Sequence, residues 1–117
     1  MATQRDMDFT YGLVDRVFRL SLGECGDWSG AKYDGDFSLT LEEAQRRKHD
    51  YLFDQLQLTS EQRVLDMGCG WGPVLRYLQT RGVEAVGVTL AQAQADACRR
   101  NGLEAYVMDC REITPDT

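Results

Sequence analysis

The feature that most constrains this chain is a loop of alternating glycines, Asp66-Met67-Gly68-Cys69-Gly70-Trp71-Gly72, set between an apolar run beginning at Arg63 and the segment Pro73-Val74-Leu75. The run Arg63-Val64-Leu65-Asp66-Met67 reads as a buried strand that stops in glycines. Proline suits the first position of a helix, where its missing N–H would have had no partner in any case. Glycines between the two permit a tight turn and close approach of backbone to a ligand. In open α/β sheets ligands bind beyond the carboxyl ends of the strands, at turns of this kind. The loop is therefore the first candidate site.

The rest of the chain extends the pattern. The helix after the loop carries Val74, Leu75 and Leu78 to about Thr80 and closes at Arg81-Gly82. Residues 83–90 read as a second strand, 92–100 as a helix stopped by Asn101-Gly102, and 103–108 as a third strand. Strands alternating with helices of this length predict a parallel sheet with right-handed crossovers. Upstream, Leu13, Val14, Val17, Phe18, Leu20 and Leu22 recur at helical spacing over residues 11–22, and residues 23–38 read as loop. Thr40 and Glu43 predict a capping box that opens a helix to about Gln57, with its stripe on Leu41, Ala44, Lys48, Tyr51, Leu52 and Leu56. His49 falls off that stripe and is expected at the surface. Arg46-Arg47-Lys48 is expected on a solvated face.

Length and charge remove several classes of function. At 117 residues the chain can form one domain, and its net charge of -6 argues against broad binding to nucleic acid or an anionic membrane. Cys25, Cys69, Cys98 and Cys110 form no C-x-x-C pair and there is one histidine, so a metal site is not expected. No apolar run approaches the ~18 residues of a membrane span. These features predict a cytoplasmic protein with free thiols and no integral membrane segment.

The chemistry of the loop narrows the ligand. A dinucleotide fingerprint places a small residue where this chain has Pro73. S-adenosylmethionine carries a sulfonium, an ammonium and a carboxylate but no phosphate, so its site must accept as well as donate hydrogen bonds. Asp66 can sit near the cationic methionine part while the loop amides face anionic groups; a pyrophosphate would be repelled there. A glycine turn that only tightens a strand–helix junction is the plainer alternative, and the loop's flanks weigh against it.

With these residues assembled, the chain resembles the cyclopropane fatty-acid and mycolic-acid synthase family of class I S-adenosylmethionine-dependent methyltransferases, over nearly its whole length. Leu65-Asp66-Met67-Gly68-Cys69-Gly70-Trp71-Gly72 is similar to the family's L-D-x-G-C-G-W-G, and Leu41-Glu42-Glu43-Ala44-Gln45 to its L-E-E-A-Q. The segment at residues 88–94 resembles T-L-S-x-x-Q, with Ala91 in place of serine, and implies that Thr89 and Gln94 contact the nucleoside. Trp28-Ser29-Gly30-Ala31 resembles Y-S-C-A, which implies that Trp28 and Ser29 touch the amino-acid end. Asp109 looks like the acid that takes the adenine amino group. Gly30 stands where cyclopropane synthases carry a cysteine of their bicarbonate site, so plain methyl transfer is expected rather than ring closure.

The resemblance implies a Rossmann-like three-layer α/β sandwich of which this chain holds about three parallel strands. Residues 1–60 would form an N-terminal helical cap and cofactor lid, and residues 61–117 the first half of the donor-binding domain. The donor-site residues expected are Trp28, Ser29, Asp66, Gly68, Cys69, Gly70, Gly72, Thr89, Gln94 and Asp109, for S-adenosylmethionine and its product S-adenosylhomocysteine. The acceptor is expected to be a lipid or small molecule, and no catalytic base is assigned. In the family's strand order the first strand lies beside the fourth, so residues 64–67 should form an open edge prone to self-association. The other reading is a non-catalytic donor-binding or interaction module.

Overall fold

The computed structural model describes residues 3–21 and 26–116. Its elements in chain order are α1 (Gln4–Ser21), α2 (Leu41–Gln55), β1 (Arg63–Met67), α3 (Pro73–Thr80), β2 (Glu84–Thr89), α4 (Gln92–Arg100), β3 (Ala105–Val107) and a short 3-10 turn at Cys110–Glu112. The strands form one sheet in the order β1-β2-β3, all parallel, with Leu65 opposite Val86 and Val88 opposite Tyr106. Parallel neighbours need a crossover, which α3 and α4 supply. The expected α/β arrangement is present, and the boundaries of the three strands and of α2, α3 and α4 fall within two residues of those read from the sequence.

The core lies between the sheet and its two crossover helices. Cys69 from the glycine loop, Leu75 from α3, Cys98 from α4, Leu103 and Ala105 form one buried cluster, with Ala85 packed against it. Truncating Leu75 to alanine would remove a buried side chain and leave a cavity, a loss of about 2–5 kcal/mol. Cys69, Cys98 and Cys110 are free thiols, as expected, and Cys25 lies outside the described residues.

Three sequence expectations are corrected by the packing. First, α1 begins at Gln4 rather than near residue 11, because Thr3 and Asp6 cap it: the Asp6 amide donates to Thr3 Oγ1 and the Thr3 amide to Asp6 Oδ2. Its apolar residues Leu13, Val17 and Leu20 are exposed rather than buried, and Leu22 and Gly23 lie outside the described residues.

Second, α2 has the predicted capping box at Thr40 and Glu43 and ends at Gln55, but it buries a different face. Ala44, Gln45 and His49 are buried, while Tyr51, Leu52 and Leu56 are exposed. Tyr77 on α3 sets this rotation, since its hydroxyl donates to Asp50 Oδ1 at 2.6 Å and its ring lies 5.3 Å from that of His49. Arg81 adds an ion pair to Asp50 at 3.5 Å and lies over the Phe53 ring. Polar and aromatic anchors to α3 therefore override the apolar stripe.

Third, β1 is not buried on both faces. Val64 and Asp66 are half-buried, but Leu65 and Met67 on the opposite face are exposed, Met67 by 65%. Within the described sheet β1 is an edge, as anticipated.

Candidate functional site

A cavity of about 380 Å³ opens at the carboxyl ends of β1 and β2, within the size range of small-molecule sites. Asp66, Gly68, Cys69 and Gly70 form its floor, Thr89 and Gln94 one end, and Asp27, Trp28 and Ser29 a wall. Met7 and Tyr11 of α1 reach it from above. Eight of the ten residues expected at a donor site thus line one cavity. Gly72 and Asp109 are not among the lining residues.

The glycines divide by what surrounds them. Gly68 and Gly70 have φ of +87° and +55°, and a Cβ at either would project into open space. Their lack of a side chain keeps the floor clear. Gly72, at φ +82°, faces the core instead: a Cβ there would stand 2.7 Å from Leu103 Cδ1 and 2.9 Å from Cys98 Sγ. It is the N-cap of α3 and lets the helix close onto α4.

The loop backbone is partly committed to the fold. The amides of Gly68 and Cys69 both donate to Val88 O, at 2.9 and 3.0 Å, and the Gly72 amide donates to Cys69 O at 2.9 Å. Among the described residues the Gly70 and Trp71 amides have no protein acceptor, which leaves two donors near the N-terminus of α3. The neighbouring Cys98 and, after it, burial raise the Cys69 thiol well above its ordinary range, so it stays protonated and acts as packing.

Of the two cavity acids, Asp27 and Asp66, Asp66 has no partner among the described residues. No hydrogen bond or ion pair to its carboxylate is present among the described residues, and burial raises its pKa from the ordinary 3.8, with His49 opposing and Asp27 reinforcing the shift. A cationic ligand group would relieve that burial. At the far end, the Thr89 hydroxyl donates to Gln94 Oε1 at 2.6 Å, and both side chains are buried. The pair presents neutral polar groups at that end of the cavity.

The wall is built differently. Asp27, only 5% exposed, accepts from the Ser29 amide and hydroxyl at 2.9 and 2.6 Å, and from Lys48 Nζ. His49 Nε2 stands 3.0 Å from Asp27 Oδ2, at ion-pair distance but without hydrogen-bond alignment. Burial alone would raise the Asp27 pKa; the contacts from His49, Lys48 and Ser29 outweigh it and hold the carboxyl well below the usual carboxylate range. Gln45 Nε2 donates to Asp27 O at 2.9 Å. The Trp28 and Trp71 rings stack with centroids 6.0 Å apart, and Tyr11 meets Trp71 edge-on at 6.0 Å.

This side corrects the surface assignment of His49, which is only 6% exposed, and of Lys48, whose head turns inward while Arg46 and Arg47 stay exposed. Sequence reading also passed over Asp27, Met7 and Tyr11. Asp27-Trp28-Ser29 carries a signal, since aspartate two residues before serine favours a local Asx turn. Asp109 is engaged elsewhere: both its oxygens take the Arg111 Nε–H at 3.0 Å, which holds its pKa at about 2. Among the described residues there is no cluster suited to a metal ion, and no helix is long and apolar enough to cross a membrane.

Comparisons with known proteins place the chain in a family. The chain is 40% identical over 86 residues to cyclopropane mycolic acid synthase 3 of Mycobacterium tuberculosis, covering 73% of this chain and 30% of that protein. A probable fatty acid methyltransferase of the same organism is 46% identical over 56 residues, covering 48% of this chain and 13% of the relative. The solved structure of mycolic acid cyclopropane synthase CmaA1 complexed with SAH and CTAB superposes with a TM-score of 0.76 at 31% identity, over 92% of this chain and 40% of that one. The chain thus spans well under half the length of these relatives. Its fold is that of Rossmann-like methyltransferases, and because the family profile described as mycolic acid cyclopropane synthetase matches residues 1–114, the chain belongs to that family.

Proposed function

We propose that this chain forms the donor-binding portion of an S-adenosylmethionine-dependent methyltransferase that acts on a lipid or small-molecule acceptor. The observation that carries the reading is Asp66: a half-buried carboxylate, without a partner among the described residues, on the floor of a cavity whose far end holds the Thr89–Gln94 pair. A methyl donor of mixed charge suits this set. Asp66 would take the ammonium, the Gly70 and Trp71 amides the carboxylate, and Thr89 with Gln94 the nucleoside.

S-adenosylmethionine supplies a methyl group activated by its sulfonium, and the protein's share is alignment and exclusion of water. Gly68 and Gly70 keep the floor open, and Trp28, Tyr11 and Met7 shield the cavity from above. Gly30, in place of the family's bicarbonate-site cysteine, favours plain methyl transfer over ring closure. The relatives' names and the CTAB in the CmaA1 complex support a lipid acceptor. A cytoplasmic setting, in which Cys69, Cys98 and Cys110 stay reduced, accords with the free thiols.

Calorimetric titration with S-adenosylhomocysteine and NAD tests the reading. Selective binding of S-adenosylhomocysteine is expected; preference for NAD would contradict it. The open β1 edge supports the further proposal of self-association, which sedimentation velocity over a concentration series would detect as a rising mean mass.

A further inference from the structure

Three residues of α2, Gln45, Lys48 and His49, share one helical face at i, i+3 and i+4, and all three converge on Asp27. Gln45 holds its main-chain carbonyl, and Lys48 Nζ donates to its Oδ2 and to Ser29 Oγ. Lys32 N donates to Ala44 O at 2.9 Å, tying the downstream end of the segment to the same helix. The residues so held, 27–29, line the cavity, and Trp28 stacks on Trp71 of the glycine loop.

We propose that Lys48 and His49 are positioning residues of the donor site: acting through Asp27, they hold the strap of residues 26–29 against the glycine loop so that Trp28 and Ser29 stand at the donor. This rests on the donor reading given above. The reason is electrostatic. A buried carboxylate is tolerated only when it is paired and its lone pairs are satisfied, and among the described residues every partner except Ser29 comes from α2. Removing Lys48 leaves Asp27 buried without its cation, and the strap relieves that by leaving the cavity wall. α2 is itself fixed to α3 through Asp50, Tyr77 and Arg81, so the strap is registered to the same helix that the glycine loop opens. Asp27 is also neutralised, which leaves Asp66 as the acid available to a ligand cation.

The chain holds two tryptophans, and they are the stacked pair, so the near-ultraviolet circular dichroism of Trp28 and Trp71 reports strap position directly. Lys48→Met is expected to abolish the near-ultraviolet tryptophan signal with the far-ultraviolet helix signal retained, and to weaken S-adenosylhomocysteine binding by about tenfold or more. Lys48→Arg should restore the signal. Lys48→Met combined with Asp27→Asn should bind no more weakly than Lys48→Met alone, because the two act as one unit. His49→Gln, the second variant should Lys48→Met not fold, is expected to weaken binding by about threefold.

An unaltered tryptophan signal in folded Lys48→Met, or full additivity of the double variant, would overturn the proposal. For the second variant, unaltered binding would do so. If the wild-type chain does not bind S-adenosylhomocysteine yet Lys48→Met still loses the tryptophan signal, the donor reading fails while the strap device stands.

Discussion

Asp27 and Asp66 line the same cavity and are both shielded from bulk solvent, but their surroundings are opposite. Asp27 is held by three side chains, so its charge is compensated within the protein. Asp66 has no partner among the described residues, and burial raises its pKa. The strap side is thus fixed by long-range side-chain contacts, whereas the sheet side is fixed by backbone: the loop amides bonded to Val88 and the glycines that clear its floor and its core face. One wall is closed by its own charges, and the other is left open to charge from a ligand.

The largest expected effect breaks the sheet side. Gly72→Ala combines a left-handed backbone with contacts under 3.0 Å to Leu103 and Cys98, and should cost about 3 kcal/mol in denaturant unfolding. Gly68→Ala meets open space, so only the backbone term applies, about 1–2 kcal/mol.

Breaking the strap side comes next. Asp27→Asn should lower stability by about 2 kcal/mol at neutral pH, because Lys48 and His49 lose their common partner. Its pH dependence has a definite sign. The Asp27 pKa is depressed below the ordinary 3.8, so its stabilisation is fully present above that value and is lost as pH falls through 3.8 toward the folded value. The stability difference between wild type and Asp27→Asn should therefore shrink in acid. Asp66 has the reverse sign, its pKa being raised: its favourable contribution is present below 3.8 and is lost as pH rises through the raised value. Asp66→Asn should then be as stable as wild type at neutral pH or slightly more so, which chemical denaturation at pH 7 and pH 4 would resolve.

The smallest effect tests the base of the strap's helix. Thr40→Ala removes the hydroxyl that accepts from the Glu43 amide, leaves the residue-40 amide to donate to Glu43 Oε2, and should cost about 1 kcal/mol, measured in the same unfolding assay.

The same division explains what the sequence made legible. The sheet side could be read residue by residue, because strand, glycine turn and helix are local patterns: Gly68 and Gly70 fall on the cavity floor, and Thr89 and Gln94 at its end. The strap side could not, because Asp27 meets Lys48 across 21 positions of sequence. The helical stripe of α2 pointed to Leu52 and Leu56, yet the helix turns by what Tyr77 and Arg81 offer to Asp50, and this buries His49. The Thr3–Asp6 cap that starts α1 was legible in principle, as a threonine and an acid three residues apart ahead of the apolar run.

In the proposed donor site Asp66, and not Asp27, is the acid that meets the donor's cation. The most direct test is the affinity of S-adenosylhomocysteine relative to its analogue lacking the α-amino group, measured by calorimetry on wild type, Asp66→Asn and Asp27→Asn. Wild type and Asp27→Asn should prefer the amine by about tenfold, the size of one charge-assisted contact, and Asp66→Asn should show no preference. A preference that survives in Asp66→Asn, or disappears only in Asp27→Asn, would show that Asp66 is not the partner of the amine.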